Sequence, residues 1–472
     1  MTSLFSHRSF SHRRSGKRPA GRRRPPTRLA LERLEDRTVP SGYQQLNLVG
    51  YQPGMATHTD PNLNGWGMDY APGGAFCVAD TTPGVATFYD RSGQVLSQVI
   101  TIPAAPSQPL GPVGRPAGVV YNPTSDFVIS EGGRSAPATF LFDTRDGTIC
   151  GWNPAVDPDH AILVVDNSTE APKRADYPGL VIAQNSHGQN VLYAADFNNN
   201  RIDMFDGGFH SLGSFTDPNV HSQYPSFNSW QVESIGGQLW VTFSAHKPGP
   251  FGGVVDVFDT DGNLLTPNHF TANAPNAGPL QSPWGIVQAP ADFGAFSNDI
   301  LIGNVEGAGN INAFDPATGA YLGPLTRPDG APIAIAGLWD LTFGGDSPAN
   351  GLAKQLYFNA GPNADTMAGN GLFGRIIAAG RGNAPASATD PTAFVGLALN
   401  PGLAGASAAV PAGTAPSADG TSGSPVLAPS AQATQLAQAS ARTTSAQLVS
   451  AGAGDILFAW LADDSNDALW QL

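Results

Sequence analysis

The sequence predicts an all-β protein, a six-bladed β-propeller with four short strands in each blade. Three observations carry the prediction. First, a phrase of apolar residue, aromatic residue and Asp, followed by a Gly-containing turn, recurs as Phe88-Tyr89-Asp90, Leu141-Phe142-Asp143, Met204-Phe205-Asp206, Val257-Phe258-Asp259 and Ala313-Phe314-Asp315. Its Asp residues are spaced by 53, 63, 53 and 56 residues, a period that marks a repeat architecture. Second, 56 Gly and 41 Pro with only 13% charged residues make a turn-rich chain, as expected of many short strands. Third, the sixth unit reads Leu372-Phe373-Gly374 and has no fourth strand after Ile377, while an orphan strand, Gln45–Val49, stands before the first unit. Pairing the two closes the ring and leaves no sheet edge open.

Taken in order, residues 1–41 form a basic arm. Positions 1–40 hold 11 of the 24 Lys and Arg but 3 of the 38 Asp and Glu. The rest of the chain therefore carries 13 basic against 35 acidic residues. Such an acidic body argues against nucleic acid, which needs clustered Lys and Arg. It leaves a protein, carbohydrate or small-molecule ligand at a propeller face. The propeller spans 42–381, near 56 residues per blade.

Inner strands begin at Trp66-Gly67-Met68, Ala117-Gly118-Val119, Gly179-Leu180-Val181, Trp230-Gln231-Val232, Trp284-Gly285-Ile286 and Leu338-Trp339-Asp340. Second strands are read at Phe76–Ala79, Phe127–Ile129, Val191–Ala194, Leu239–Thr242, Ile300–Gly303 and Gln355–Phe358. The third strand of each unit ends in the aromatic-Asp turn, and a weaker fourth strand such as Val95–Ile100 completes it. The turn Asp has a structural task, since its carboxylate accepts backbone N–H groups two residues on and Gly supplies positive φ. Asp259-Thr260-Asp261-Gly262 lacks the further acids and closing Glu of a calcium loop. The repeated Trp66, Trp230, Trp284 and Trp339 are expected to pack between blades.

Residues 382–450 are rich in Ala, Ser, Pro and Gly and read as a flexible linker. Residues 451–472 are apolar with interspersed Asp, either a short docking helix or an irregular terminus. Cys77 and Cys150 fall at different strand positions and are read as buried thiols rather than a disulfide. No apolar run is long enough to span a membrane, and the chain is expected to be a monomer.

No His-Glu-x-x-His, Cys-x-x-Cys, Gly-x-Ser-x-Gly or P-loop pattern is present. The candidate ligand-binding residues form a polar set at strand ends around the channel: Asp80, Glu131, Asp196, Asn198, Asn304, Glu306 and Asn359. Of these, Asp80, Asp196, Asn304 and Asn359 are the candidate metal ligands, because an acid–amide ring offers the oxygens that Ca²⁺ requires. The same residue types also cap strands and close turns. His58, His221 and His246 fall in loops and are candidate general bases if they reach the channel. For His58 the plainer expectation is a local hydrogen bond to Asp60.

Several longer strings carry a family likeness. His58-Thr59-Asp60-Pro61-Asn62-Leu63-Asn64-Gly65-Trp66-Gly67, Thr148-Ile149-Cys150-Gly151-Trp152-Asn153-Pro154-Ala155-Val156-Asp157 and Asn312-Ala313-Phe314-Asp315-Pro316-Ala317-Thr318-Gly319 resemble an uncharacterised bacterial family of NHL-like six-bladed propellers. The resemblance covers about residues 43–378 and implies the propeller fold but no reaction. Leu31-Glu32-Arg33-Leu34-Glu35-Asp36-Arg37-Thr38-Val39-Pro40-Ser41 resembles the leader motif of large exported proteins of planctomycete-type bacteria. It implies an extracellular or envelope location. The expectation is thus an exported binding or scaffold propeller. The alternative is a Ca²⁺-dependent ester or lactone hydrolase of the lactonase or phosphotriesterase-like propeller type.

Overall fold

The computed structural model describes residues 42–106, 111–169, 173–245, 252–271, 278–361 and 371–379. The basic arm with its leader-like string, the segment 382–472 and His246 lie outside the described residues.

Six antiparallel sheets form the blades. Blade 1 runs through Gly65–Tyr70, Phe76–Asp80, Val85–Tyr89 and Val95–Thr101, and blades 3, 4 and 5 repeat that meander. Blade 6 contains Leu338–Phe343, Leu356–Ala360 and Leu372–Ala378, and its fourth strand is the first of the chain, Tyr43–Gly50. The ring closes as the sequence predicts, with Tyr43 opposite Ala378 and Gln45 opposite Ile376. Buried Tyr43 fixes the closure. Its ring lies 4.9 Å from that of Phe293, and its hydroxyl accepts the Phe296 N–H at 3.1 Å.

Blade 2 differs from its sequence reading. Phe127–Ile129 is not its second strand; Val128–Glu131 and Arg134–Pro137 form a separate hairpin through Gly132-Gly133, both at positive φ, as a two-residue turn requires. The second strand is Phe140–Thr144 and the third is Thr148–Trp152. Asp143 therefore ends a second strand and closes no third-to-fourth turn. That turn belongs to Asn153, whose side chain accepts the Ala155 N–H at 2.8 Å. Asn153 lies 53 residues before Asp206, so the 63-residue interval falls between Asp90 and Asn153, where the hairpin is inserted.

The other four turns behave as read. Asp90 accepts the N–H groups of Ser92 and Gln94 at 2.8 and 2.9 Å, and Asp259 those of Asp261 and Asn263 at 2.9 and 2.8 Å. Asp206 and Asp315 do the same.

Inner strands approach one another closely because glycine leaves room. A Cβ on Gly67 would lie 2.6 Å from the Ala117 carbonyl oxygen, and one on Gly285 would lie 2.7 Å from that of Trp339. Gly118 faces the Gly179 backbone in the same way. This glycine belt narrows the axis. Cys77 and Cys150 are buried free thiols in one apolar cluster.

The strand directions define two faces. Inner strands begin and second strands end on what is here called the upper face. The turns between first and second strands, the aromatic-Asp turns and the Tyr43–Ala378 pair lie on the lower face.

Candidate functional site

Second-strand ends bring Asp80, Asp143, Asp196, Ser244, Asn304 and Asn359 to equivalent positions below the upper face. All are buried, and their polar atoms bond mainly to backbone groups and neighbouring side chains, while Asp143 Oδ2 and Asn359 Oδ1 meet no hydrogen-bond partner among the described residues. Asp80 Oδ1 accepts the Asn64 N–H at 2.6 Å and Oδ2 the Thr87 hydroxyl at 2.7 Å. Asp143 Oδ1 accepts the Gly118 N–H at 2.5 Å. Asp196 accepts from the Asp176 N–H and from Asn199. Asn304 accepts the Gln281 N–H at 2.9 Å and donates to the Pro279 carbonyl at 2.8 Å. Asn359 donates to the Trp66 carbonyl at 3.3 Å, across the blade 6–blade 1 boundary.

These side chains thus tether the start of an inner strand, satisfying backbone groups that burial would otherwise penalise. Burial pushes the Asp80 and Asp143 carboxyls well above the ordinary range and Asp196 up to about 7. Among the described residues, no three His, Cys, Asp or Glu side chains gather as metal ligands.

The other sequence candidates separate. Glu131 sits on the inserted hairpin at the lower face, away from the strand-end set. Glu306 lies in the upper loop of blade 5, its N–H donating to the Gln281 carbonyl. Asn198 donates to the Arg174 carbonyl at 3.1 Å. His58 pairs beside Val49 in a short parallel strand. The Asp60 carboxylate is held by the Asn62 N–H and the Tyr89 hydroxyl rather than by His58. His221 lies on the short helix Pro218–Gln223.

The four repeated Trp residues pack with one another on the axis, not between blades as expected. Each falls where the register between inner and second strand slips: between Gly65 and Met68, Ser229 and Gln231, Pro283 and Ile286, and Leu338 and Asp340. A bulge re-aims the side chain it carries, and here it turns each indole inward. Trp66 stacks on Trp339 with centroids 3.8 Å apart, and Trp230 and Trp284 each lie 6.0 Å from Trp339. Arg145, from the second-to-third loop of blade 2, lies 5.1 Å from the Trp66 ring and 5.8 Å from the Trp230 ring, in cation–π range. A buried bidentate pair with Asp176 holds it there. Together these groups plug the upper end of the axis.

Beneath the plug is a cavity of about 100 Å³ lined by Asp69, Glu233, Asp340 and Gln231 among apolar side chains, with no basic residue on its wall. Asp69 accepts the Tyr70 and Tyr121 N–H groups, and Asp340 those of Met68 and Leu341, all at 2.7 Å. Glu233 accepts only the Ser234 N–H, at 3.2 Å. Burial raises Asp69 to about 6 and Asp340 to about 8. Burial, then the charges of Asp340 and Asp69, raise Glu233 to about 8. The sequence signal for this trio is an acid within three residues after Trp66, Trp230 and Trp339, in otherwise apolar strands.

A second, open pocket of about 580 Å³ lies on the upper face between blades 3 and 4, lined by Lys173, Asn198, Asn199, Asn200, Arg201, His221 and Asn228 together with Thr216 and two prolines. It borders a cluster of cations interleaved with Asp146, Asp176, Asp196 and Asp203. Arg115, Arg145, Lys173, Arg174 and Arg201 gather over blades 2 and 3 and are five of the ten Lys and Arg among the described residues. Arg115 pairs with Asp146 at 2.8 Å and Arg201 with Asp203 at 2.7 Å.

No protein-family model matches the chain. Uncharacterised protein L690 of Acanthamoeba polyphaga mimivirus is 31% identical over 342 residues, covering 70% of this chain and 84% of the viral protein. Protein R648 of the same virus, also uncharacterised, is 30% identical, with 62% and 71% covered. These curated relatives are viral, where the sequence resemblance points to bacteria. Among solved structures, the calcium-binding protein regucalcin of Agrobacterium tumefaciens matches with a TM-score of 0.38 and 14% identity, covering 68% of this chain and 92% of that one. That likeness is too loose to carry an argument about calcium. With closed blades and a sequence match over most of L690, the chain belongs to the same family as the mimivirus proteins L690 and R648.

Proposed function

We propose that this propeller is a binding module that engages a polar ligand on its upper face, and that it is not a metal-dependent hydrolase. The carrying observation is the open pocket between blades 3 and 4, whose wall of amides and cations contrasts with an acidic chain. Ligand pockets of a few hundred Å³ with a few convergent polar groups are the usual form of such sites. Two further features favour the reading. The strand-end residues suited to a metal are tied to the backbone, and the axis where propeller hydrolases bind is filled by Trp and Arg. The leader-like string at 31–41 supports placing the module outside the cytoplasm or at the cell envelope.

The test is a comparison of the full chain with its Asp196→Asn variant on small lactones and aryl esters. No turnover above the buffer blank is expected from either. A rate abolished both by chelator and by the variant would overturn the proposal.

A further inference from the structure

We infer that the pocket between blades 3 and 4 takes a small polyol bearing an oxyanion, a sugar acid or a sugar phosphate, through Lys173, Asn200, His221 and Asn228. The inference rests on the binding-module reading and gives that module its ligand class.

Charge is the first argument. Beyond residue 40 the chain has 35 acidic residues against 13 basic ones, yet among the described residues no carboxylate lines this pocket. Glu170 lies outside the described residues; the described acids nearby are paired, Asp203 and Asp196 with the wall's own Arg201 at 2.7 and 3.5 Å. Asp176 is paired with Arg145. Asp196 is also buried and bonded to Asn199. Asp217 caps the short helix through the Asn219 N–H at 2.7 Å.

The second argument is the distribution of donors. Asn198 and Asn199 spend their amide N–H groups on the carbonyls of Arg174 and Lys173, each at 3.1 Å. They thereby fix the backbone that presents the Lys173 ammonium. Asn200 accepts the Ser229 N–H at 3.0 Å through Oδ1, which leaves its Nδ2 as an oriented donor. Lys173, His221 and Asn228 make no side-chain hydrogen bond or ion pair with another described residue. The described wall therefore offers a cation and several amide or ring N–H groups and none of the carboxylates that typically grip neutral sugar hydroxyls. Such groups suit anionic oxygen.

Size is the third argument. A volume of about 580 Å³ exceeds a bare phosphate many times over but suits one or two sugar rings. Among the described residues the wall carries no Phe, Tyr or Trp, which places the recognition on hydrogen bonds and charge rather than on stacking against a large ring.

The test is calorimetric titration of the full chain with glucuronate, glucose 6-phosphate, inorganic phosphate and glucose. At least one charged sugar should bind about tenfold more tightly than glucose, and the preferred one identifies carboxylate or phosphate. Raising the ionic strength should weaken that binding, as for any exposed charge pair. Lys173→Ala should cost about tenfold, the size of one charge-assisted hydrogen bond, while Lys173→Arg should retain most of the affinity. Equal binding of glucose and its charged derivatives, no effect of Lys173→Ala, or no binding of any probe overturns the inference. Neutral-sugar binding at this pocket would leave the binding-module reading standing. Chemical conversion of a bound charged sugar would do the reverse, removing the module reading while keeping the ligand class.

Discussion

Replacing Glu233 with Gln should stabilise the protein in alkaline solution and leave it almost unchanged in acid. The Glu233 carboxylate faces a cavity it shares with Asp69 and Asp340 and with no basic residue. It has one backbone donor, the Ser234 N–H, which the Gln Oε1 can equally accept. Burial and its acidic neighbours raise it from the ordinary 4.5 to about 8. Because the folded state holds this proton more tightly than the unfolded chain, the associated stability is fully present below about pH 4.5 and is lost as pH rises through about 8. That interval corresponds to a ceiling of about 5 kcal/mol. The side chain keeps partial access to the cavity, and the three acids share the penalty, so about 1–2 kcal/mol is the expected gain above pH 8. Urea unfolding of the full chain at about pH 5 and about pH 9 reads the effect, with the wild type losing stability between them and Glu233→Gln losing less. If Glu233→Gln is equally or less stable than wild type at the higher pH, the carboxylate is solvated or paired and the reasoning fails.

Two further predictions concern the ring. Gly67→Ala should destabilise the protein by about 2 kcal/mol or more, because its Cβ would meet the Ala117 carbonyl oxygen at 2.6 Å and the Gly118 Cα at 2.8 Å, both backbone atoms that cannot step aside; a thermal melt indistinguishable from wild type would contradict the close approach of the inner strands. Adding Ca²⁺ after chelator treatment should leave the melting temperature unchanged, since the strand-end acids are bound to the backbone; a site filled a hundredfold above its Kd would instead add about 2.7 kcal/mol.

The ring was legible because its signal is covalent spacing. An aromatic-Asp turn every 53 or so residues, a missing last strand and an orphan first one leave few other closures. Blade 2 was misread for a physical reason. Phe142-Asp143 has the same side chains as the turn phrase, but here the Asp bonds to the Gly118 N–H, and ten inserted residues move the true turn to Asn153. The candidate site was less legible. Strand-end acids and amides look alike whether they hold a cation or a backbone N–H, and only the partners distinguish these roles. Asn198 and His221 were among the sequence candidates and do line the open pocket. Lys173 gave no such signal, because the pocket joins loops that are far apart along the chain and have no shared motif. Trp66 and its counterparts were visible as a repeat, but their direction depends on bulges that sequence alone does not reveal.

The strand pairing that closes the ring also determines how the molecule can be held. Tyr43 and Ala378 sit opposite each other, so the chain enters and leaves the propeller at one spot on the lower face. Force applied through either flank is delivered there, on the face opposite the open pocket. If both flanks are pulled at once, the load falls on one strand pair, which unzips residue by residue rather than shearing as a block. The seam that completes the sixth blade is therefore the first place the ring would open under tension applied through both flanks.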